Sequence, residues 1–422
     1  MARKMKDSGI EWIGEIPEGW EVGQIGQLYS ERRTKVSDKD YPPLSVTMKG
    51  ILPQLSTAAK TDAHDDRKLV CKGDFAINSR SDRRGSCGIS EQDGSISLIN
   101  TVLQPRGEMN PGYYNWLFHT SMFADEFYKW GHGIVDDLWT TGWSDMKKIG
   151  VPVPSKCEQK QLAEHLNIEC SNIDSILSKT RSSIEEYKKL KQTVITQAVT
   201  KGVRGEREMK DSGVEWIGEI PKEFDPVQLK FFCKLITDGT HFSPTIVENG
   251  WPYITAGDVH GIGLDYNSAK RISEEDFQLL VAQGCQPLKG DVLLVKDGAT
   301  TGRVGFVDSD TPCVILSSVA MLRPADNTDG HYLMYLLASD FLQKQILVSM
   351  AGSAMPRTTL TKLTKYIGLL PPLHEQKEIV NYLDAKCAEI DKLIAKKEQL
   401  VKELESYKKS LIYEVVTGKR EV

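Results

Sequence analysis

The residues best suited to chemistry in this 422-residue chain are cations and small polar side chains in two Gly-rich loops. The first, Asn78-Ser-Arg-Ser-Asp-Arg-Arg-Gly-Ser-Cys-Gly88, carries Arg80, Arg83 and Arg84 with Asn78, Ser79 and Ser81 among them. The second, Lys296-Asp-Gly-Ala-Thr-Thr-Gly-Arg-Val-Gly305, carries Lys296, Asp297, Thr300, Thr301 and Arg303. Two further polar clusters, Asp136-Asp-Leu-Trp-Thr-Thr-Gly-Trp143 and Gly352-Ser-Ala-Met-Pro-Arg-Thr-Thr-Leu360, supply Trp139, Thr140, Arg357 and Thr358. Thr240 and His241 complete the candidate set. An arginine fork matches a guanine edge or a phosphate, and Ser, Thr and Asn donate to phosphate oxygens. Together these residue types offer nucleic-acid binding. A single basic Gly-rich loop is as readily a solvated hairpin; its recurrence in two similar settings favours binding.

Catalytic patterns are missing where binding patterns are present. The chain has no G-x-x-x-x-G-K-[ST] phosphate loop and no G-x-S-x-G elbow. Tyr41-Pro-Pro-Leu44 and Leu370-Pro-Pro-Leu373 lack the polar first and aromatic last residues of a base-positioning tetrapeptide. His64-Asp65-Asp66 has ligand-type side chains, but three adjacent polar residues read as a solvated turn. Glu158-Gln-Lys160 and Glu375-Gln-Lys377 read as favourable charge at helix N-termini, not as a nuclease site. We therefore expect no catalysis and no metal.

The elements that would position the loops come in two copies. Residues 158–200 and 375–417 are predicted long amphipathic helices, related by an offset of 217 with no gap. Leu166, Ile173, Leu177, Ile184, Tyr187, Leu190, Val194 and Ala198 match Leu383, Ile390, Ile394, Val401, Leu404, Tyr407, Leu411 and Val415. The spacing is close to a heptad seam. Neither copy contains Pro or Gly, so each helix would run on the order of 60 Å, too long for one small domain to bury. The cheapest partner for each seam is the other copy.

A second repeat precedes each half. Lys6-Asp-Ser-Gly-Ile-Glu-Trp-Ile-Gly-Glu-Ile-Pro17 returns as Lys210-Asp-Ser-Gly-Val-Glu-Trp-Ile-Gly-Glu-Ile-Pro221, at an offset of 204. The region between block and helix is thus longer in the second half. Within these diverged regions a Gly-Asp turn opens a strand (Gly73-Asp74, Gly290-Asp291), followed by the polar loop, another strand and an aromatic-rich helix. Strands are expected at residues 95–103, 291–295 and 313–322, and helices at 113–130 and 330–350. The domain plan is residues 1–157, with the block at 3–20; 158–206, helix and linker; 207–374, with the block at 207–224; and 375–422. Two copies on one chain read as a pseudo-two-fold dimer within a polypeptide.

Composition is that of a folded soluble protein, 40% hydrophobic and 26% charged. The eight cysteines form no C-x-x-C, which fits a reducing cytoplasm. The N-terminus lacks the apolar core of a secretory signal, and no apolar run would span a membrane. A net charge of −5 argues against indiscriminate nucleic-acid coating but not against local basic readers.

These motifs resemble one family. Asp-Ser-Gly-[IV]-Glu-Trp-Ile-Gly-Glu-Ile-Pro, the Gly-Asp-[VF] strand opening, and Glu-Gln at the head of a long helix after Pro154-Ser-Lys-Cys or Pro371-Pro-Leu-His are similar to the DNA specificity subunits of type I restriction–modification enzymes. The resemblance covers essentially the whole chain; Cys157 standing where the second half has His374 is a minor departure. It implies an α+β fold: two target recognition domains of mixed β-sheet and helices, separated by two long antiparallel coiled-coil helices with internal pseudo-two-fold symmetry. Each recognition domain would read one half of a bipartite site in double-stranded DNA, and the helices would set the gap. They would also dock two methyltransferase subunits that methylate adenine, and two restriction–translocase subunits could join. S-adenosylmethionine, ATP and Mg2+ would be used by those partners, with no cofactor bound by this chain. Two other readings stay open: a freestanding methyltransferase or nuclease, and an adaptor whose diverged domains bind protein.

Overall fold

The computed structural model of the protein describes residues 3–54, 64–133, 139–214, 217–350 and 356–422. The fold is α+β and divides into two compact units, residues 1–181 with 398–422, and residues 182–397. The first long helix is Lys156–Lys201 and the second is Leu373–Val416. Each unit thus holds one globular part and a portion of both long helices. Among the described residues, no helix is long and apolar enough to cross a membrane.

Eight strands of the first unit carry its frame: β1 (Met5–Asp7), β2 (Glu15–Pro17), β3 (Glu21–Gln24), β4 (Tyr29–Glu31), β5 (Phe75–Asn78), β6 (Cys87–Ile89), β7 (Asn100–Pro105) and β8 (Gly150–Val153). The second unit repeats them: β9 (Met209–Asp211), β10 (Glu219–Pro221), β11 (Asp225–Gln228), β12 (Cys233–Asp238), β13 (Val292–Val295), β14 (Val304–Phe306), β15 (Val319–Pro324) and β16 (Ile367–Leu370). The duplicated block is a hairpin, with Met5 opposite Pro17 in one copy and Met209 opposite Pro221 in the other. β3 pairs with β8, and β11 with β16. The central antiparallel sheet runs β6-β5-β7-β4 in the first unit and β14-β13-β15-β12 in the second.

The extra length of the second half falls between β12 and β13. There the chain builds the strands Ile246–Val247, Trp251–Ile254 and Lys270–Ile272, joined in one sheet by Val314–Ile315 from beyond β14, and the helix Glu274–Ala282. The first half instead has a three-stranded sheet (Gly94–Ser97, Arg67–Val70, Lys35–Val36) and the hairpin Leu44–Thr47/Gly50–Pro53.

Four expected elements are interrupted. The strand expected over 95–103 is Gly94–Ser97 and then β7; Asn100 Nδ2 donates to Ser97 O at 3.0 Å across the turn. The strand expected over 313–322 is Val314–Ile315 and then β15, with Val319 N donating to Leu316 O at 2.9 Å. The helix expected over 113–130 is Pro111–Phe118 and Ser121–Lys129, because the Thr120 hydroxyl accepts from Phe123 N and caps a new start. The helix expected over 330–350 breaks at Ser339, whose extended ψ of 148° separates Gly330–Ala338 from Asp340–Ser349.

The long helices pack in two ways within each unit. At their ends they belong to the globular cores. Leu162, Leu166, Ile173 and Leu177 join Leu411, Val415 and Val416 in a core rich in Tyr and Phe from the two helices at 111–129. In the second unit Ile195, Ala198 and Val199 join Ile379, Val380, Leu383 and Cys387 against Tyr332, Tyr335 and Phe341. Elsewhere the helices run antiparallel against each other. Lys408 Nζ meets Asp174 Oδ1 at 2.6 Å in the first unit, and Lys191 Nζ meets Asp391 Oδ2 at 2.7 Å in the second. These are the same two positions of the repeat with their places exchanged. One expected seam position fails in both copies: Leu190 and Tyr407 are exposed. Two successive three-residue steps from Ile184 turn Leu190 roughly 120° off the stripe.

The Glu-Gln pair that opens each long helix ties it to the block. Glu158 accepts from Arg3, from Trp20 Nε1 at 3.2 Å and from Ser155 Oγ at 2.8 Å, and a reciprocal capping box adds Ser155 N to Glu158 Oε2 and Glu158 N to Ser155 Oγ. Gln159 Nε2 donates to Pro154 O at 2.9 Å, and its Oε1 accepts from Asn110 N. Gln376 makes the same two bonds, to Pro371 O and from Asp329 N. Partial burial pushes the Glu158 carboxyl up, but the hydrogen bonds from Arg3, Trp20 and Ser155 outweigh it and hold it below the ordinary carboxylate range. A depressed folded-state pKa contributes stability that is present above the unfolded value near 4.5 and lost as pH falls through the folded value. The Glu158→Gln variant is therefore expected to flatten the acid limb of the stability profile; an unchanged limb below pH 4.5 would remove Glu158 from it.

Residues just past the second long helix pack on the first block. Lys419 Nζ donates to Ile13 O at 2.7 Å, and Gly418 lies against Pro17 and Trp20.

Candidate nucleic-acid interface

Both polar loops are the turns of equivalent hairpins, β5–β6 and β13–β14. Each opens on a Gly-Asp turn in which glycine takes a left-handed φ, 88° at Gly73 and 93° at Gly290. The aspartate then turns inward. Asp74 Oδ2 accepts from Cys71 N and Arg32 Nε; Asp291 Oδ2 accepts from Leu288 N and Arg323 Nη2. A buried carboxylate with two such donors fixes the root of the strand that leads to the loop.

The structure joins each loop to the polar cluster sixty residues further on. An isolated antiparallel bridge pairs Arg80 with Thr140, and another pairs Asp297 with Arg357. Ser81 N donates to Trp139 O at 3.1 Å and Thr141 N to Ser79 O at 3.0 Å; Gly298 N donates to Pro356 O at 3.0 Å and Thr358 N to Lys296 O at 2.9 Å. Every one of these pairs obeys the 217-residue offset of the long helices. The sequence had placed loop and cluster in one candidate set, but their physical contact is a finding of the structure. The parts of the clusters at 136–138 and 352–355, and Glu215 and Trp216 of the second block, lie outside the described residues.

The candidates divide by exposure. In the first unit Asn78 is buried, and its Oδ1 accepts from Arg80 N at 3.0 Å. Ser79 Oγ lies 3.0 Å from Thr101 Oγ1, and Trp139 Nε1 donates to Tyr128 O at 2.8 Å. Tyr128 supports the loop from below, its hydroxyl donating to Asn78 O at 3.2 Å; burial pushes that phenol up and keeps it a donor. Ser81 is half-buried, and Thr140 is exposed with its backbone paired to His132. Arg80, Arg83 and Arg84 are exposed. Arg84 Nη1 lies 3.1 Å from Asp125 and over the Tyr128 ring, and Arg83 lies 3.9 Å from Asp82. Among the described residues, the Arg80 guanidinium has no partner.

The second unit is charge-balanced instead. Lys296 is 2% exposed, with its ammonium 2.6 Å from Asp297 Oδ2 and 3.3 Å from Asp238 Oδ2. Arg357 Nε lies 2.9 Å from Asp297 Oδ1. Thr358 is buried, its hydroxyl 2.6 Å from the Tyr366 hydroxyl. Thr240 is buried and its Oγ1 accepts from Phe242 N at 2.9 Å, while His241 is exposed. Thr301 Oγ1 donates to Gly298 O at 2.7 Å; Thr300 is half-buried. Arg303 is exposed and lines a cleft of about 590 Å3 with Lys188, Gln192 and Gln343. Asp238 was not singled out from the sequence, because its partner Lys296 is remote along the chain and no local pattern connects them. His64, noted as a possible ligand, pairs with Asp38 at 2.9 Å, and Asp66 with Lys35 at 2.6 Å.

Residues 221–403 match the family model described as type I restriction modification DNA specificity domain. The chain is 26% identical over 428 residues to the type I restriction enzyme MjaVIII specificity subunit of Methanocaldococcus jannaschii, across 96% of this chain and 93% of that one. It is 24% identical over 257 residues to the EcoBI specificity subunit of Escherichia coli, across 58% of this chain and 52% of that one. A solved chain from work on complex assembly and conformational transition of the type I R-M system superposes with a TM-score of 0.73 at 16% identity, covering 95% of this chain and 98% of that one. The HsdS subunit of Thermoanaerobacter tengcongensis superposes at 0.52 and 18% identity, covering 96% and 98%. The fold is therefore shared with these solved chains, and sequence similarity to a named specificity subunit extends along nearly the whole chain.

Proposed function

We propose that this chain, a DNA specificity subunit of the type I restriction–modification kind, reads a bipartite site, one half with each globular unit. The observation that carries the reading is the duplicated loop-to-cluster bridge. One scaffold is used twice, and it presents different side chains each time: exposed arginines in the first unit, a carboxylate-tethered arginine in the second. Diverged readers on a repeated frame suit an asymmetric site. Each reader would take its register from phosphate contacts and its sequence from a few base contacts.

The paired long helices act as the spacer that fixes the gap between half-sites, since two rigidly connected readers meet DNA in fixed register. They also dock two methyltransferase subunits, to which two restriction–translocase subunits add. Adenine methylation, S-adenosylmethionine, ATP and Mg2+ belong to those partners, and this chain contributes no catalytic group. A mildly acidic subunit fits that division, with the partners supplying much of the phosphate clamp. A cytoplasmic location accompanies this reading.

The test compares the purified chain with the chain bound to its methyltransferase partners. The chain alone transfers no methyl group from S-adenosylmethionine, and the assembly prefers particular duplexes. Methyl transfer by the chain alone would make it an enzyme; an assembly indifferent to duplex sequence would make it an adaptor. Within the assembly, replacing Arg80, Arg83 or Arg84 with Ala weakens binding, and one of them, Arg80, which has no carboxylate partner among the described residues, relaxes preference in one half-site only. Unchanged affinity in all three variants would remove the loop from the interface.

A further inference from the structure

The two bridges place an arginine at the same point of the scaffold from opposite strands. In the first unit Arg80 lies on the strand leaving β5 and faces Thr140; in the second Arg357 lies on the returning strand and faces Asp297. Both backbones are pinned on either side, by the bonds through Ser79, Ser81, Trp139 and Thr141 and by their equivalents at Lys296, Gly298, Pro356 and Thr358. The roots of both side chains are therefore fixed while their ends stay exposed.

Charge counting in the second unit explains how Arg357 is held. A buried ammonium must be paired, and Lys296 sits between Asp238 and Asp297. One cation between two carboxylates leaves one net negative charge, and Arg357 is the cation that answers it. The contact is made through Nε. Among the described residues Nη1 and Nη2 make no hydrogen bond, leaving a flat two-pronged donor that matches the paired acceptors on the major-groove edge of guanine.

We propose that Arg80 and Arg357 are the equivalent base-reading residues of the two units, each directed at a guanine edge, and that Asp297 and Lys296 are positioning residues for Arg357. This rests on the reading that each unit faces one half-site. Lys296 is thereby assigned away from direct phosphate contact.

The test measures methylation rates of the full chain with its methyltransferase partners on duplexes in which each position is changed singly. Arg80→Ala and Arg357→Ala each relax one G:C position by roughly 10- to 100-fold, in different half-sites, and leave the other positions unchanged. Arg357→Lys keeps the charge, loses the fork and relaxes the same position. Asp297→Asn relaxes that position too, adds nothing to Arg357→Ala in the double variant, and Asp297→Glu restores discrimination. A purely structural role for Asp297 would instead add to the Arg357 effect and overturn the positioning assignment. A uniform loss across all duplexes would put the arginines on phosphates, and relaxation within one half-site by both would break their equivalence; either result overturns the proposal. Arg80 is exposed and has no partner among the described residues, so its variant tests the base-reading claim even where Asp297→Asn fails to fold. If the unaltered assembly shows no two-part preference, the functional reading itself has failed, which is a distinguishable outcome.

Discussion

Inserting one heptad at matched places in both long helices lengthens the preferred gap by about three base pairs. Seven residues add about 10 Å of helix, and the duplex rises about 3.4 Å per base pair. A heptad is the right insertion because it restores the apolar seam in phase. The repeated ion pair, Asp174 with Lys408 and Lys191 with Asp391, indicates how closely side-chain register matters along these helices. The measurement is the gap preference of the assembled complex on duplexes that differ only in the number of unspecified base pairs. An unchanged optimum would mean the helices do not set the spacing.

The second large effect concerns stability. Arg207→Ala destabilises the protein by about 3–5 kcal/mol, whereas Arg3→Ala costs about 1 kcal/mol or less. The two arginines occupy equivalent places. Each lies over an aromatic ring, Phe224 at 5.3 Å and Trp20 at 5.4 Å, and each pairs with the glutamate that opens a long helix. Burial separates them. The Glu375 side chain is 1% exposed and Arg207 11%, against 30% for Glu158 and 32% for Arg3. Hydrogen bonds to Glu375 and Glu223 push the Arg207 guanidinium above its ordinary value. Removing it leaves a buried carboxylate without its direct ion-pair partner, with only Arg204, itself paired to Glu378, acting on it from further away, while Glu158 keeps water, Trp20 and Ser155. Urea unfolding of the two variants decides the matter. Equal losses would show that burial does not govern this motif.

Much of this organisation was legible because it is local or repeated. The block, the long helices, the Gly-Asp turns and the two loops are short motifs whose spacing survives duplication. The interruption at Thr120 was missed because one capping hydroxyl outweighs an otherwise helical apolar pattern. At Ser339 the hydroxyl donates back to Leu336 O at 2.6 Å and the backbone turns extended, which apolar spacing does not reveal. The exposure of Leu190 and Tyr407 was missed because a matched apolar pair looks like a seam until its angular drift is followed.

For the candidate site, residue type pointed to both loops, but side-chain direction was invisible. Nothing along the chain distinguishes Lys296, turned inward between two carboxylates, from Arg303, which is exposed. Nor does sequence show that Asn78 spends its acceptor on the Arg80 amide. Both outcomes depend on partners brought in by the sheet. The loop-to-cluster bridges are invisible for the same reason, and they show themselves only as two contacts separated by the offset of the whole repeat.

The central claim is that one scaffold, used twice, reads two separated half-sites. Mapping the adenines methylated by the assembled complex on a pool of random duplexes tests it most directly. The account predicts two short specified runs, different in sequence, held apart by a fixed number of unspecified base pairs. A single continuous recognition run, or methylation with no sequence preference, would contradict it.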